Sequence, residues 1–215
     1  MTVADVGALL RPGMRVFVPG ASNEPQGLLA ALAETPECAA GVTFVQFPLP
    51  GMNRTDFTAW HPEARMESFF LSPAIRDAFA ARRVAFLPLH MRRVFDHLAR
   101  GPAFDLLLLQ VGRDAGGRLR QGPNVDFLEA VLGNARRVVA QFNPALIPPA
   151  GAPEVDGDRV EIVLEQGHAV PELPAPVLDD TARAIGAHVA ALVPDGACLQ
   201  TGIGAVPAAV LAALR

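Results

Sequence analysis

The chain has 215 residues, about half of them apolar and 19% charged, with a net charge of −4; this describes a folded globular chain rather than a disordered one. All eighteen basic residues are arginine, and the pairs Arg82–Arg83, Arg92–Arg93 and Arg136–Arg137 are scattered, so no basic stripe points to nucleic acid. The longest apolar run, Leu106–Val111, is far too short to span a bilayer, and MTVADVGALLRPG lacks the basic start of a secretory signal, so a cytoplasmic protein with no membrane partner is expected.

Short apolar runs alternate with amphipathic stretches. Arg15–Val18, Val42–Phe47, Arg83–Leu89, Phe104–Val111 and Arg137–Phe142 read as strands buried on both faces, the habit of parallel strands. RVEIVLE and Ala197–Thr201 are two further strand candidates. Helices are expected after Pro25 (Leu28, Leu29 and Leu32 on one face), after Ser72-Pro73, and after an Asn124 cap with Phe127, Val131 and Leu132. Another is expected over DDTARAIGAHVAALVPDG, with Ile185, Val189 and Leu192 on its apolar face, ended by Pro194. Pro48 to Pro62 reads as an extended surface loop and Ala145 to Pro153 as an irregular crossing. Such alternation predicts an α/β fold with an open, mostly parallel sheet flanked by helices. The boundary is placed at a main domain over 1–175 and a final helix–strand–helix unit over 176–215.

The end of the chain echoes its start. RPGMRVFVPGASNEPQGLLAALA and VPDGACLQTGIGAVPAAVLAALR share a turn, a short strand, a glycine and a proline five residues on (Gly20 with Pro25, Gly202 with Pro207). Apolar residues then fall at matching offsets: Leu28, Leu29 and Leu32 against Val210, Leu211 and Leu214. Two readings stand: a duplicated βα opening, one per half of a longer protein, or two independent instances of a common α/β unit.

The turn Gly202–Gly204 lets the backbone approach a ligand closely, and the helix start after it offers free N–H groups to a phosphate or a developing oxyanion. Gln200 adds an amide donor, and Pro207 fits the first helical turn. A plain structural turn is the other reading. The dinucleotide fingerprint fails, because Pro207 stands where its third glycine belongs. Asp114 in VGRDAGGRLRQG sits after an apolar strand, where either a substrate loop or an Asp-turn fits, and Asn143 before Pro144 has the same two readings. Ser22 lacks the nucleophile-elbow context, the five histidines show no ligand spacing, and Cys38 and Cys198 read as two separate buried thiols.

On these residues the chain resembles the acetyl-CoA hydrolase/4-hydroxybutyrate CoA-transferase family of class I CoA-transferases. LQTGIGAVPAAVLAAL is similar to that family's LQ-x-GIGAIP-x-AVL segment, PGMRVFVPGASNEPQGLLAALAE to its N-terminal segment, and FDLLLLQVGRDAGGRLRQGPNVDFLEAVLGNARRVVAQFNP to its central pattern. The resemblance implies a CoA-transferase (NagB/RpiA-like) fold, paired α/β domains and no metal. It implies an acyl-CoA substrate, hence coenzyme A, and a small carboxylate. It further implies ping-pong chemistry through a glutamyl-CoA thioester. Gln200, Gly202, Ile203, Gly204, Ala205 and Pro207 would then lie by the thioester oxygen and the CoA, with Asp114 and Asn143 as a substrate loop. The family's nucleophilic glutamate follows the GIG turn in a GIHTE-like segment that this sequence does not contain. The expectation is therefore an N-terminal half, inactive alone, needing a C-terminal domain or partner subunit and open to homo-oligomer formation. A non-catalytic binding module or one subunit of a split enzyme are the alternatives.

Overall fold

The computed structural model describes residues 2–214 and divides into two compact units, Met1–Glu172 and Leu173–Arg215. In the first, β1 (Arg15–Phe17), β2 (Thr43–Gln46), β3 (Arg65–Ser68), β4 (Val84–Phe86), β5 (Leu106–Arg113), β6 (Leu119–Arg120), β7 (Val138–Phe142) and β8 (Val160–Glu165) form one sheet. Its order is β4-β3-β2-β1-β5-β7-β8, every pair on this path parallel, with β6 folded back antiparallel on β5. The expected open parallel sheet is thus observed. The chain winds outward from β1 to β4, then returns across the sheet to place β5 on the other side of β1. The order of winding therefore reverses between β1 and β5.

Helices cover both faces. On one face α1 (Val3–Leu9), α2 (Gln26–Ala33) and α3 (Arg76–Ala80) bury Val6, Leu28, Leu29, Leu32 and Ala78 against Val16, Phe44, Leu106 and Leu108. On the other, α4 (Met91–Arg100) and α5 (Leu128–Leu132) bury Val94, Leu98, Leu128 and Val131 against Phe17, Val45, Leu107 and Leu109. Burial of each such leucine contributes about 1.5–3 kcal/mol, which explains why β5 is apolar on both faces. α1 was not apparent in the sequence; it is started by a capping box in which Thr2 and Asp5 bond reciprocally.

Several expectations need correction. The β3 strand sits just after the anticipated loop, and within that loop Phe57 stacks on Phe44 with ring centroids 4.7 Å apart, so the segment is anchored in the core. Asn124 does not cap α5, which starts after Phe127; its carbonyl instead accepts the Asn23 side-chain amide. Ser72 precedes a 3-10 turn, and its hydroxyl makes no capping bond. The Ala145–Pro153 crossing lies so close to β5 and β6 that a Cβ on Gly112 would fall 2.2 Å from the Leu146 carbonyl oxygen.

The second unit is a pair of helices, α6 (Asp180–Ala190) and α7 (Ala205–Ala213). Asp179 caps α6 by accepting from the Ala182 N–H at 2.7 Å. The helices meet where Gly186 faces Ala209, and a Cβ on Gly186 would sit 2.7 Å from the Ala209 carbonyl carbon. Ala197–Thr201 forms no strand, because nothing in this helical unit offers it a ladder of backbone partners. Ile185, Val189 and Leu192 are exposed rather than buried, and Cys198 is an exposed free thiol while Cys38 is half-buried.

Replacing Gly186 by alanine should force α6 and α7 apart. Amide exchange across residues 180–213 is expected to accelerate by about tenfold or more, the signature of a lost contact worth roughly 1.4 kcal/mol; unchanged protection there would refute the close-packing account.

Candidate functional site

In open α/β sheets, ligands favour the crevice beyond the carboxyl ends of the strands, where the winding reverses. Here that crevice lies between β1 and β5, and its wall is the loop of residues 18–25 that joins β1 to α2. The loop is fixed almost entirely by buried side-chain amides. Gln46, at the end of β2, donates from Nε2 to Glu24 Oε1 at 2.9 Å. Gln110 on β5 donates to the Ser22 carbonyl at 3.1 Å. Gln141 on β7, the register partner of Gln110, accepts from the Leu28 N–H at 2.9 Å and so caps the start of α2. From the β2–β3 loop, Asn53 accepts from the Ala21 N–H at 2.7 Å and donates to the Ala21 carbonyl at 3.1 Å.

The loop pays for this placement with strain. Ala21 has φ +47° and Asp126, which meets the Gly20 backbone, has φ +44°, both in the left-handed region that L-residues other than glycine enter at a cost of about 1 kcal/mol or more. Gly20 is required by close approach: a Cβ there would fall 2.0 Å from the Phe47 carbonyl oxygen. The Gly20 N–H donates to the Asp126 carboxylate.

Two carboxyl groups in this wall are perturbed. Burial pushes Asp126 up to about 6, against the lowering effect of the Gly20 N–H. Glu24, only 3% exposed, is raised by the same cause, against hydrogen bonds from Gln46, Asn53 and Gln26. Neither was singled out in the sequence for such a role. A signal existed, since Gln46, Gln110 and Gln141 are the polar residues of otherwise apolar strands.

The residues expected from the sequence fall into separate places. Asn143 is fully buried, and its amide is used internally: Nδ2 donates to Gln110 Oε1 at 3.2 Å and the His168 carbonyl at 3.0 Å, while Oδ1 accepts from Ala145 and His168 N–H groups. Asp114 closes its own turn, accepting from the Gly116 and Arg118 N–H groups and from the Nε of Arg118 and of Arg120, each near 3.0 Å. These bonds, led by the Arg118 backbone, hold its carboxyl down to about 2. In the second unit, Gln200, Gly202 and Pro207 line one cavity of about 280 Å³ together with Val189, Val193, Val206 and Val210. Gly204, just before α7, stands at φ +140°, a conformation suited to glycine. Ile203 is 81% exposed and Ala205 opens the helix. The Gln200 amide donates only to the neighbouring Thr201 carbonyl, at 3.1 Å.

Among the described residues no group of three or more histidine, cysteine, aspartate or glutamate side chains could hold a metal, and no helix is long and apolar enough to cross a membrane.

A parallel sheet whose winding reverses between β1 and β5, with helices on both faces, defines the chain as an open-sheet α/β protein. Residues 1–167 match the acetyl-CoA hydrolase/transferase N-terminal domain, and the chain belongs to that family. It is 29% identical over 204 residues to the 4-hydroxybutyrate coenzyme A transferase of Clostridium kluyveri, covering 94% of this chain and 47% of that protein. It is 29% identical over 211 residues to the succinyl-CoA:acetate/propanoyl-CoA:succinate CoA transferase of Fasciola hepatica, covering 95% and 44%. The chain thus spans about half the length of the curated relatives it matches. In fold it is similar to RipA from Yersinia pestis, with a TM-score of 0.85 at 22% identity, covering all of this chain and 53% of that one.

Asp126 binds its proton more tightly in the folded chain than at its ordinary value of 3.8, so the folded state holds the extra proton between pH 3.8 and about 6. Stability should therefore fall as pH rises through that window. Asp126→Asn removes this titration while keeping an acceptor for the Gly20 N–H. Its stability relative to the parent should rise by about 1–3 kcal/mol from pH 4 to 7, measured by urea unfolding at stepped pH; a difference independent of pH would contradict the assignment.

Proposed function

We propose that the chain supplies the N-terminal half of an acyl-CoA:carboxylate CoA-transferase or acetyl-CoA hydrolase, with residues 176–215 opening its second domain. The observation that carries this reading is the family match over residues 1–167 together with the LQTGIGAVP turn that follows it. In the reaction proposed, a glutamate carboxylate attacks the thioester carbon of acyl-CoA, forming an acyl-glutamyl anhydride and releasing CoA thiolate. The thiolate attacks the glutamyl carbonyl, freeing the acyl group as a carboxylate and leaving glutamyl-CoA. A second carboxylate then attacks that thioester to give a mixed anhydride and thiolate, and recombination of the two yields the new acyl-CoA and restores the glutamate. In a hydrolase, water replaces the second carboxylate.

Each step develops negative charge on a carbonyl oxygen, and this is where the present chain contributes. The start of α7 offers the N–H groups of Ala205 and Val206, since Pro207 has none and Ala208 bonds back to Gly204. With the Gln200 amide, these form a set of donors suited to that oxygen. The valine-lined cavity beside them is apolar enough to strengthen such bonds by excluding water. The glutamate itself belongs to the complementary half.

The chain alone should show no CoA transfer between acetyl-CoA and propionate, followed by chromatography of the CoA esters; turnover by the isolated chain would overturn the assignment of the nucleophile elsewhere. Fused to the C-terminal half of the Clostridium kluyveri relative, it should transfer CoA. Gln200→Ala should then lower kcat by about 10²-fold, the usual cost of one oxyanion donor. A folded but inactive fusion would count against the role given to this half.

A further inference from the structure

A second polar feature stands at the same end of the sheet, in loops that the proposed transfer chemistry does not use. The β2–β3 loop turns sharply at Gly51, whose φ of +89° suits glycine, and Met52 and Asn53 both bond back to the Leu49 carbonyl. Asn53 is then locked against Ala21, as described above, so the backbone of the next residue, Arg54, is held in place. Arg54, which is exposed, lines two cavities. One, of about 280 Å³, is lined by Gly51, Asn53, Arg54, Ser72, Pro73 and Ala74; the other, of about 320 Å³, lies between Arg54, Met52, Trp60 and one face of α2.

Two observations single out the first cavity. Among the described residues Arg54 has no ion-pair partner, although Asp56 is two residues away; the Asp56 carboxylate is engaged instead by the Thr58 N–H and hydroxyl, at 2.9 and 2.6 Å. Ser72, only 1% exposed, has a hydroxyl with no hydrogen-bond partner at all. A buried hydroxyl without a partner is costly, and native proteins rarely leave one without reason. An exposed guanidinium with no ion pair and a buried hydroxyl with no partner thus line the same cavity, while Glu24 lines only the other one. The group that answers both is an oxyanion, which accepts from the arginine fork and from a hydroxyl at once.

We propose that Arg54 and Ser72 form a binding site for a single oxyanion, a phosphate or a carboxylate, in the cavity between the β2–β3 loop and the segment after β3. The site is independent of the oxyanion donors assigned to the second unit. It does not rely on that chemistry being correct, since it requires neither a thioester nor a nucleophile. An arginine is the apt residue, because its planar fork meets two oxygens of one anion, which a point charge does not.

The test measures binding by the 215-residue chain, with no turnover involved. Thermal unfolding midpoints are recorded against inorganic phosphate, acetate and sodium chloride at matched ionic strength, and phosphate or acetate binding is followed by isothermal calorimetry. Saturable stabilisation by phosphate identifies a phosphoryl site and by acetate a carboxylate site; either supports the proposal, and chloride should have no such effect. Arg54→Gln should weaken the response by about tenfold or more, while Arg82→Gln, at another cavity, should leave it unchanged. Ser72→Ala gives the sharper contrast. Without anion it should unfold at the same temperature as the parent or a higher one, because it removes an unpartnered hydroxyl, yet it should bind the anion more weakly. No saturable response to either anion, or an undiminished response in Arg54→Gln, overturns the site.

Discussion

The crevice depends on one constraint: the eight residues 18–25 must leave β1, turn over the end of the sheet and enter α2 without water to satisfy their backbone. Gln46, Gln110 and Gln141 are fully buried on the face shared with α2, and each reaches a different point of that loop or of the helix after it. Each bond separately contributes about 1 kcal/mol, but an amide left alone in that setting would cost more than it gains when paired. The three amides and the loop therefore stand or fall together. Asn143 extends the set across β7 by joining Gln110 to the His168 stretch, so the polar layer crosses most of the sheet.

That layer makes the strain at Ala21 and Asp126 tolerable. Two non-glycine residues in left-handed backbone persist only where neighbours over-determine them, and here Asn53 grips Ala21 through both its N–H and its carbonyl. The same rigidity raises the carboxyl groups. At Glu24 and Asp126 burial outweighs the hydrogen bonds that would favour their charged forms. Strain and raised carboxyl groups thus share a cause in the packing of one loop.

Much of this fold was legible because apolar runs flanked by turn residues leave few alternatives to parallel strands. The sheet face is written in the β5 run Leu106–Leu109, and α2 in Leu28, Leu29 and Leu32. Short elements carry less signal: β3 reads Arg-Met-Glu-Ser and is a strand only because β2 and β4 hold it on both sides. The site was less legible still. Asp114 looked available because a glycine-rich loop after a strand can present a carboxylate, but local arginines close that loop onto it. Asp126 was not singled out at all. Its partner Gly20 stands in the loop after β1, more than a hundred residues away in sequence, and local pattern carries no record of such a partner.

The two echoing segments show how much the surroundings decide. Both run from a turn through a glycine and a proline into an apolar helix, yet they end in different states. Around Gly20 the preceding residues pair as β1, and Leu28, Leu29 and Leu32 are buried. Around Gly204 the preceding Ala197–Thr201 has no strand beside it, and Leu211 and Leu214 are 45% and 38% exposed. The local instructions are alike, so the difference lies in the presence of neighbouring strands. Strand neighbours supply both the ladder bonds and the buried amides that lock the first loop. In the second segment only the glycine geometry and the contact at Gly186 hold the turn in place. The N–H groups of Ala205 and Val206 are consequently free of the internal bonds that consume those of Gly20 and Ala21, and the Gln200 amide gives one, to the Thr201 carbonyl. This is the physical distinction between a loop built as a wall and a loop with hydrogen bonds left to give.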